Sequence, residues 1–211
     1  GLYDGLMISK RLLKIASLVD TEEVIDIGCD HALLDIYLTN NGYKCIAIDN
    51  KEKVLNNTYK NIKENNLLNK ITIVCSNGLD NYKVNGNETV IIAGMGTNSI
   101  LEILKNKEFN KINNLIIQSN NDLYKLRKEI CKNYYIDKEI IVFDKKYYNI
   151  IKFKKGKRKY SYFDYYFGLS NDKNYINYLY NKLYNVYINI PLKKIIKKIK
   201  YKILLFKIKR L

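Results

Sequence analysis

The chain has 211 residues, enough for one α/β domain of about 150 residues and a small appendage. Its hydrophobic fraction of 47% excludes a disordered polypeptide, and no uncharged apolar run reaches the ~18 residues of a membrane span. The 37 basic and 21 acidic residues give a formal charge of +16, which favours nucleic acid or an anionic membrane surface as partner. The chain is also rich in Lys, Asn, Ile and Tyr, so a biased amino-acid composition of the whole proteome is a second explanation of this charge.

Four scattered cysteines without a C-x-x-C pair and a single histidine argue against a metal site. We interpret the cysteines as small, reduced core residues of a cytoplasmic protein, and we expect a monomer without integral membrane association. Met7 is a candidate natural start, so residues 1–6 are interpreted as a cloning remnant.

The predicted elements alternate between strands and helices. A helix capped by Ser9 is followed by a buried strand at residues 24–27, and further β- and α-type segments follow in turn. This order predicts βαβ units in a doubly wound, mostly parallel sheet. Strands are predicted at residues 24–27, 44–48, 71–75, 89–93 and 115–118, and helices at 8–19, 33–37, 51–64, 98–105 and 123–131.

The pattern changes after residue 131. Two β-rich runs, 136–143 and 147–153, predict an antiparallel hairpin at one edge of the sheet. A basic connector at 152–160 leads to a helix at 175–187, and Pro191 separates it from a last helix at 192–211. We therefore predict an α/β domain over residues 7–158 and a small basic helical domain over 159–211.

The turn after the first predicted strand contains candidate residues for binding a nucleotide-like cofactor. Gly28 allows a ligand to approach the backbone, and Asp49 ends the second strand, where an acidic residue binds ribose hydroxyls of NAD or S-adenosylmethionine (SAM). Asp30 and Ala32 replace glycines of the pyrophosphate-binding loop. A carboxylate there repels pyrophosphate but suits the cationic SAM, so the residues favour SAM over NAD.

Four motifs then occur in order: Ser9-Lys10-Arg11-Leu12, Asp26-Ile27-Gly28-Cys29-Asp30-His31-Ala32, Ala93-Gly94-Met95-Gly96 and Gln118-Ser119-Asn120. Together they resemble the motifs of the bacterial tRNA (adenine-22-N1)-methyltransferase family. The resemblance covers residues 8–153, and beyond them it is limited to helical character. It implies a class I methyltransferase that acts on tRNA with SAM as cofactor.

The resemblance also implies roles for individual residues. The methionine end of SAM is expected at Gly28, Asp30 and His31, with Asp26 orienting the turn, and the ribose at Asp49. Asn77 and Gly78 are expected near the adenine, and Ala93, Gly94, Met95 and Gly96 form the wall beside the transferred methyl. Asn77 stands where the family usually has Asp, and Ser119 where it usually has Pro, which predicts weaker cofactor binding and a less rigid loop. His31 as a plain first-turn polar residue and Met95 as plain wall packing are the alternatives.

The chemistry of N1 methylation agrees with this set of residues. The adenine N1 lone pair lies in the ring plane and carries no proton, so its attack on the SAM methyl needs no general base. Methyltransferases of exocyclic amines resemble one another in an Asn/Asp-Pro-Pro-aromatic motif, which this chain lacks because Pro191 is its only proline. We expect Asp30, Arg11 and Asn120 to be the catalytic residues, with Asp30 supplying charge that favours the cationic product.

Basic residues supply the expected tRNA surface. In the last helix, Ile195, Ile196, Ile199, Ile203 and Phe206 form an apolar stripe. It suits either an anionic membrane or packing against the preceding helix with the lysines offered to tRNA, and the family resemblance favours the packing. An RNA-binding protein without catalysis and a small-molecule methyltransferase are the alternative functions. The candidate tRNA contacts are Lys10, Arg11, Lys14, Lys154, Lys155, Lys157, Arg158, Lys193, Lys194 and Lys197.

Overall fold

The computed structural model describes residues 2–3 and 6–211, the side chains of Leu2, Tyr3 and Leu6 excepted. Gly1, Asp4 and Gly5, which belong to the expected cloning remnant, lie outside the described residues. The chain divides into two compact units, one ending at Arg158 and the other spanning Lys159–Leu211.

The first unit is built on the predicted alternation of strands and helices. Its elements are β1 Leu2–Tyr3, β2 Leu6–Met7, α1 Lys10–Ser17, β3 Glu23–Ile27, α2 Leu33–Asn40, β4 Lys44–Asp49, α3 Glu52–Glu64, β5 Ile71–Cys75, β6 Thr89–Met95, α4 Thr97–Leu104, a 3-10 helix Lys107–Lys111, β7 Asn114–Ser119, α5 Leu123–Ile130, β8 Tyr134–Asp144 and β9 Lys146–Lys155.

One sheet of seven strands organises this unit, in the order β5-β4-β3-β6-β7-β9-β8. Strands β3 to β7 are parallel, whereas β9 pairs antiparallel with both β7 and β8. The predicted doubly wound sheet with an antiparallel hairpin at one edge is therefore confirmed. Because β9 continues to Lys155, the predicted basic connector begins four residues later than expected.

The strand order reverses at β3, which lies between β4 and β6. In doubly wound sheets, ligands bind at the carboxyl ends of the strands beside such a switch point. The central strands are buried on both faces and consist of nearly continuous Val, Ile and Leu, as expected for a sheet covered by helices on both sides. Helix α1 starts at its predicted cap, since Ser9 Oγ accepts a hydrogen bond from Leu12 N at 3.2 Å.

The second unit is helical and has its own small apolar core. Its elements are α6 Tyr162–Phe167, α7 Lys173–Ile188, a 3-10 helix Leu192–Lys194 and α8 Ile195–Ile208. Helix α6 was not predicted; it begins with a capping box between Ser161 and Asp164. Core residues of this unit are Phe167, Ile176, Leu183, Leu204, Leu205 and Ile208.

The prediction that the apolar stripe of α8 packs against α7 is wrong. Ile195, Ile196, Ile199, Ile203 and Phe206 are 51, 84, 51, 49 and 55% exposed. The helix has a second apolar face, formed by Leu204, Leu205 and Ile208, and that face packs in the core with α7. Two opposite faces cannot both face one neighbour, so the larger stripe lies in solvent.

Within residues 2–3 and 6–211, no helix is both long and apolar enough to cross a membrane. In the same ranges, His, Cys, Asp and Glu side chains form no cluster of three or more that suits a metal ion.

Candidate functional site

The loop between β3 and α2 is held against two neighbouring elements. The amides of Gly28 and Cys29 donate to Ile48 O of β4 at 2.8 and 3.0 Å. Helix α3 contacts the same loop through two side chains. Thr58 Oγ1 donates to Asp30 O, and Asn61 Nδ2 donates to His31 O at 2.9 Å. The loop that carries three predicted cofactor residues is therefore fixed before any ligand arrives.

At two glycines of the site, an added Cβ would displace a neighbouring side chain. Gly28 has φ +79°, and a Cβ placed on it would lie 2.7 Å from Met95 Cε. Gly78 has φ +57°, and its Cβ would lie 2.8 Å from Ile103 Cγ2. The left-handed conformation favours glycine at both positions, and any larger residue would also shift Met95 or Ile103.

Two adjoining cavities, of about 410 and 650 Å³, open at the carboxyl ends of the parallel strands. Because they share Gly28, Asp49, Asn50, Lys51 and Met95, we describe them as one groove. The groove brings together every predicted cofactor residue: Asp26, Gly28, Asp30, His31, Asp49, Asn77, Gly78, Ala93, Gly94, Met95 and Gly96.

A chain of hydrogen bonds connects α1 to the carboxyl ends of β6 and β7. Arg11 Nη1 donates to Gln118 Oε1 at 2.5 Å, and Gln118 Nε2 donates to Asn120 Oδ1 at 3.1 Å. Asn120 Nδ2 in turn donates to Gly94 O at 2.9 Å. Arg11 also lines the groove and lies 5.4 Å from the centre of the Tyr148 ring. The buried Gln118 was not predicted as a site residue, although its polar side chain at the end of a buried strand is a usable signal.

Two buried carboxyl groups meet beneath the groove, at Asp26 of β3 and Asp35 of α2. Burial raises the pKa of Asp26 to about 6, against the opposing effects of its hydrogen bond with Asp35 and of the nearby Arg11 charge. Burial, together with the charge of Asp26, raises the pKa of Asp35 well above its usual range. Asp35 has the higher pKa of the two, so a proton held by the pair resides on Asp35 rather than on Asp26.

Several hydrogen bonds hold the loop after β7, where Ser119 stands in place of the proline that the family usually has. Ser119 Oγ lies 2.8 Å from Thr97 Oγ1 and donates to Asn121 O at 2.9 Å. Thr97 N donates to Asn121 Oδ1 at 2.9 Å, and Asn120 N donates to Met95 O at 2.9 Å. These hydrogen bonds constrain the loop in the absence of a proline ring, and the effect of Ser119 on its rigidity stays a prediction.

The predicted basic residues fall into three groups. Lys10 and Lys14 are exposed on α1, the helix that brings Arg11 to the groove. At the end of β9, Lys154 is ion-paired with Asp20 and Asp137 at 3.5 and 3.9 Å, and Lys155 Nζ donates to Asn110 O.

The remaining predicted basic residues are more accessible. Lys157 is exposed, and the guanidinium of Arg158 lies 4.1 Å from the centre of the Tyr135 ring. Lys193, Lys194 and Lys197 are exposed in the second unit. Lys154 is thus the member of the predicted set whose charge is already neutralised.

Comparison with known proteins agrees with this geometry. Residues 8–151 match the methyltransferase domain family. A Mycoplasma genitalium protein provisionally named a tRNA methyltransferase is 34% identical over 160 residues, which are 72% of each chain.

Solved structures extend the similarity to almost the whole chain. TrmK of M. capricolum, in complex with S-adenosylhomocysteine, has a TM-score of 0.84 and 34% identity over 97% of both chains. Sp1610 of Streptococcus pneumoniae, provisionally named a tRNA (m1A22) methyltransferase and bound to S-adenosyl-L-methionine, has a TM-score of 0.86 and 27% identity, over 97% of this chain and 99% of the other. The chain therefore belongs to the bacterial tRNA (adenine-22-N1)-methyltransferase family.

Proposed function

We propose that the protein transfers the methyl group of SAM to N1 of an adenine in tRNA, with adenine 22 of the D arm as the expected target. One observation carries the proposal: the groove at the switch point of the sheet is lined by Arg11 and Gly94, the two residues that the hydrogen bonds of Gln118 and Asn120 connect. A cofactor site and polar groups suited to a nucleotide are thus adjacent.

The residues of the groove fit SAM. Asp49 Oδ1 accepts from Lys51 N at 3.0 Å, which leaves the second carboxylate oxygen for a ribose hydroxyl. Asp26 and Asp30 line the end where the ammonium and sulfonium charges are expected, and a carboxylate favours such cations. The amide of Asn77 is exposed at the other end, where it suits the edge of an adenine ring.

SAM supplies an electrophilic methyl group on a sulfonium. The lone pair of adenine N1 forms the new carbon–nitrogen bond as the carbon–sulfur bond breaks, and the positive charge passes from sulfur to the adenine ring. No proton is removed from N1, so the protein needs to position the two reactants and stabilise the charge rather than provide a base. We assign the charge stabilisation to Asp30, which lines the groove one residue past Cys29.

Asn120 and Arg11 are the proposed contacts to the target nucleotide. Asn120 donates one N–H to Gly94 and accepts one hydrogen bond from Gln118, so one N–H and one oxygen lone pair of its amide remain for a base. Arg11 adds a positive charge at the same end of the groove, suited to a phosphate. Lys10, Lys14, Lys157, Arg158, Lys193, Lys194 and Lys197 are proposed as further phosphate contacts.

The test is transfer of labelled methyl from SAM to unmodified tRNA, followed by primer extension. N1 lies on the Watson–Crick edge, so its methylation arrests reverse transcriptase. We expect a SAM-dependent stop at one adenine of the D arm, and none with a tRNA in which that adenine is replaced by guanine. SAM binding without label in any tRNA would contradict the substrate, whereas absence of SAM binding would contradict the cofactor site.

A further inference from the structure

Helix α8 exposes an apolar stripe that faces away from α6 and α7. The stripe consists of Ile195, Ile196, Ile199, Ile203 and Phe206, each between 49 and 84% exposed. At 100° per residue, these five positions lie within an arc of about 100°. A contiguous exposed patch of this kind marks a binding surface rather than scattered surface apolar residues.

Lysines border the stripe on both sides. On the helical projection, Lys202 lies about 20° beyond Ile195, and Lys207 and Lys200 lie about 20° and 40° beyond Ile196. Lys200, Lys202 and Lys207 are exposed. From Pro191 to Leu211 the chain has nine Lys and Arg residues and no Asp or Glu. The stripe is therefore an apolar strip between two cationic edges.

We propose that α8 binds the surface of an anionic lipid bilayer, with the stripe inserted at the level of the headgroups and upper acyl chains. Its 14 residues are too few to span a bilayer, and they suit a helix lying in the plane of the interface. Lysines at both edges extend their alkyl stems along the apolar layer and place their ammonium groups at lipid phosphates. The opposite face, with Leu204, Leu205 and Ile208, keeps the helix attached to its own unit.

The same surface suits RNA or a second copy of the chain less well. RNA phosphates would pair with the lysines but would leave four isoleucines without an apolar partner, because bases stack on aromatic or guanidinium planes. In a dimer through α8, the uncompensated positive edges of two copies would repel each other. An anionic bilayer surface offers an apolar layer to the stripe and negative charge to the lysines along its edges.

The test is co-sedimentation of the full chain with vesicles of phosphatidylcholine, with and without phosphatidylglycerol. We expect binding to the anionic vesicles only. Ile196→Gln/Ile199→Gln/Ile203→Gln should weaken it about tenfold or more, and since the three side chains are exposed, the fold should persist. Phe143→Gln, which removes a 58% exposed side chain from the hairpin, is the matched control and should bind like the unchanged protein.

A fluorescence measurement locates the helix directly. The chain has no tryptophan, so Phe206→Trp introduces a single reporter on the stripe. Its emission should shift to the blue with anionic vesicles and be quenched by brominated acyl chains. Binding that depends on the lysines but not on the stripe would overturn the proposal, as would no vesicle binding at all. An equal loss of tRNA affinity in the isoleucine variant would identify the stripe as an RNA surface, and loss of an oligomer would identify it as a contact between copies.

Discussion

At the scale of single residues, the Asp26–Asp35 pair is the least expected feature of the site. Asp35 is fully buried, and its carboxyl group reaches Asp26 rather than any basic group. Asp26 also lies near the charge of Arg11. A proton on Asp35 therefore allows Asp26 to face the groove as the charged member of the pair.

Asp35→Asn tests this assignment through stability. Both folded pKa values lie above the unfolded value of about 3.9, so the protonated pair stabilises the fold fully at low pH. That contribution is lost as the pH rises through the folded pKa of Asp26, about 6, and the higher pKa of Asp35. Asparagine keeps a donor and cannot ionise. In urea unfolding, we expect the variant to gain roughly 1–2 kcal/mol of stability relative to the unchanged protein between pH 5 and pH 8.

The control for this experiment is Glu64→Gln, which removes an exposed carboxylate at the end of α3. It should shift stability by the same small amount at both pH values. If Asp35→Asn is instead destabilising at both, the proton does not reside on Asp35.

Asp30→Asn tests the proposed charge stabilisation. The carboxylate favours the cationic product, and its loss should lower kcat about tenfold or more while SAM still binds. Methyl transfer under single-turnover conditions, together with calorimetric SAM binding, separates the two effects. An unchanged kcat in a variant that binds SAM would remove Asp30 from the catalytic set.

Gly28→Ala tests the close approach at the turn. The new methyl would meet Met95 Cε at 2.7 Å and displace it toward the groove, so we expect SAM affinity to fall about tenfold. Gly42→Ala is the matched control, because Gly42 also has a positive φ, +92°, but nothing lies within 4 Å of its added Cβ. Both variants should lose roughly 1–2 kcal/mol of stability, and the change in SAM affinity should be confined to Gly28→Ala. Equal SAM affinity in Gly28→Ala and Gly42→Ala would show that the close approach of Met95 to residue 28 does not affect SAM binding.

At the scale of elements, the loop after β7 depends on a side chain in another helix. Thr97 at the start of α4 is buried, and its hydroxyl reaches Ser119 Oγ and Asn121 O. Thr97→Val keeps the shape but removes these contacts, and we expect a loss of about 1–3 kcal/mol in thermal unfolding and a higher KM for tRNA. Thr72→Val, at an exposed position of β5, should change neither quantity. A KM that stays unchanged would mean that the loop does not contact tRNA.

Strands and helices of the first unit were predictable because their signals are local. Buried parallel strands appear as apolar runs such as residues 24–27, and their helices follow with caps such as Ser9. The motif residues were predicted as a set by the family resemblance, and they lie in one groove because the carboxyl ends of parallel strands converge at one edge.

What was missed depends on contacts between distant segments. Gln118 joins Arg11 across 107 positions of sequence, and Asp35 matters only because α2 packs it onto Asp26. The orientation of α8 was mispredicted because the helix has two apolar faces, and periodicity alone does not say which one is buried.

At the scale of the whole molecule, the positive charge is unevenly distributed. Residues 159–211 carry 12 basic and two acidic residues, so this smaller part accounts for +10 of the formal charge of +16. The first unit neutralises part of its own charge, as in the ion pairs of Lys152 and Lys154 with Asp20. Long-range attraction of a polyanion is therefore expected to depend chiefly on the second unit.

Salt dependence of tRNA binding tests this distribution of charge. Each phosphate contact by a free cation adds about 0.7–0.9 to the slope of log affinity against log salt concentration. Lys193→Gln/Lys194→Gln/Lys197→Gln should therefore weaken tRNA binding and lower the slope by about two. Lys154→Gln is the matched control, since its ammonium already pairs with Asp20 and Asp137, and it should leave the slope unchanged. If the control lowers the slope as much per lysine as the triple variant does, tRNA displaces the carboxylates and binds the end of β9, and the first unit rather than the second provides the electrostatic attraction.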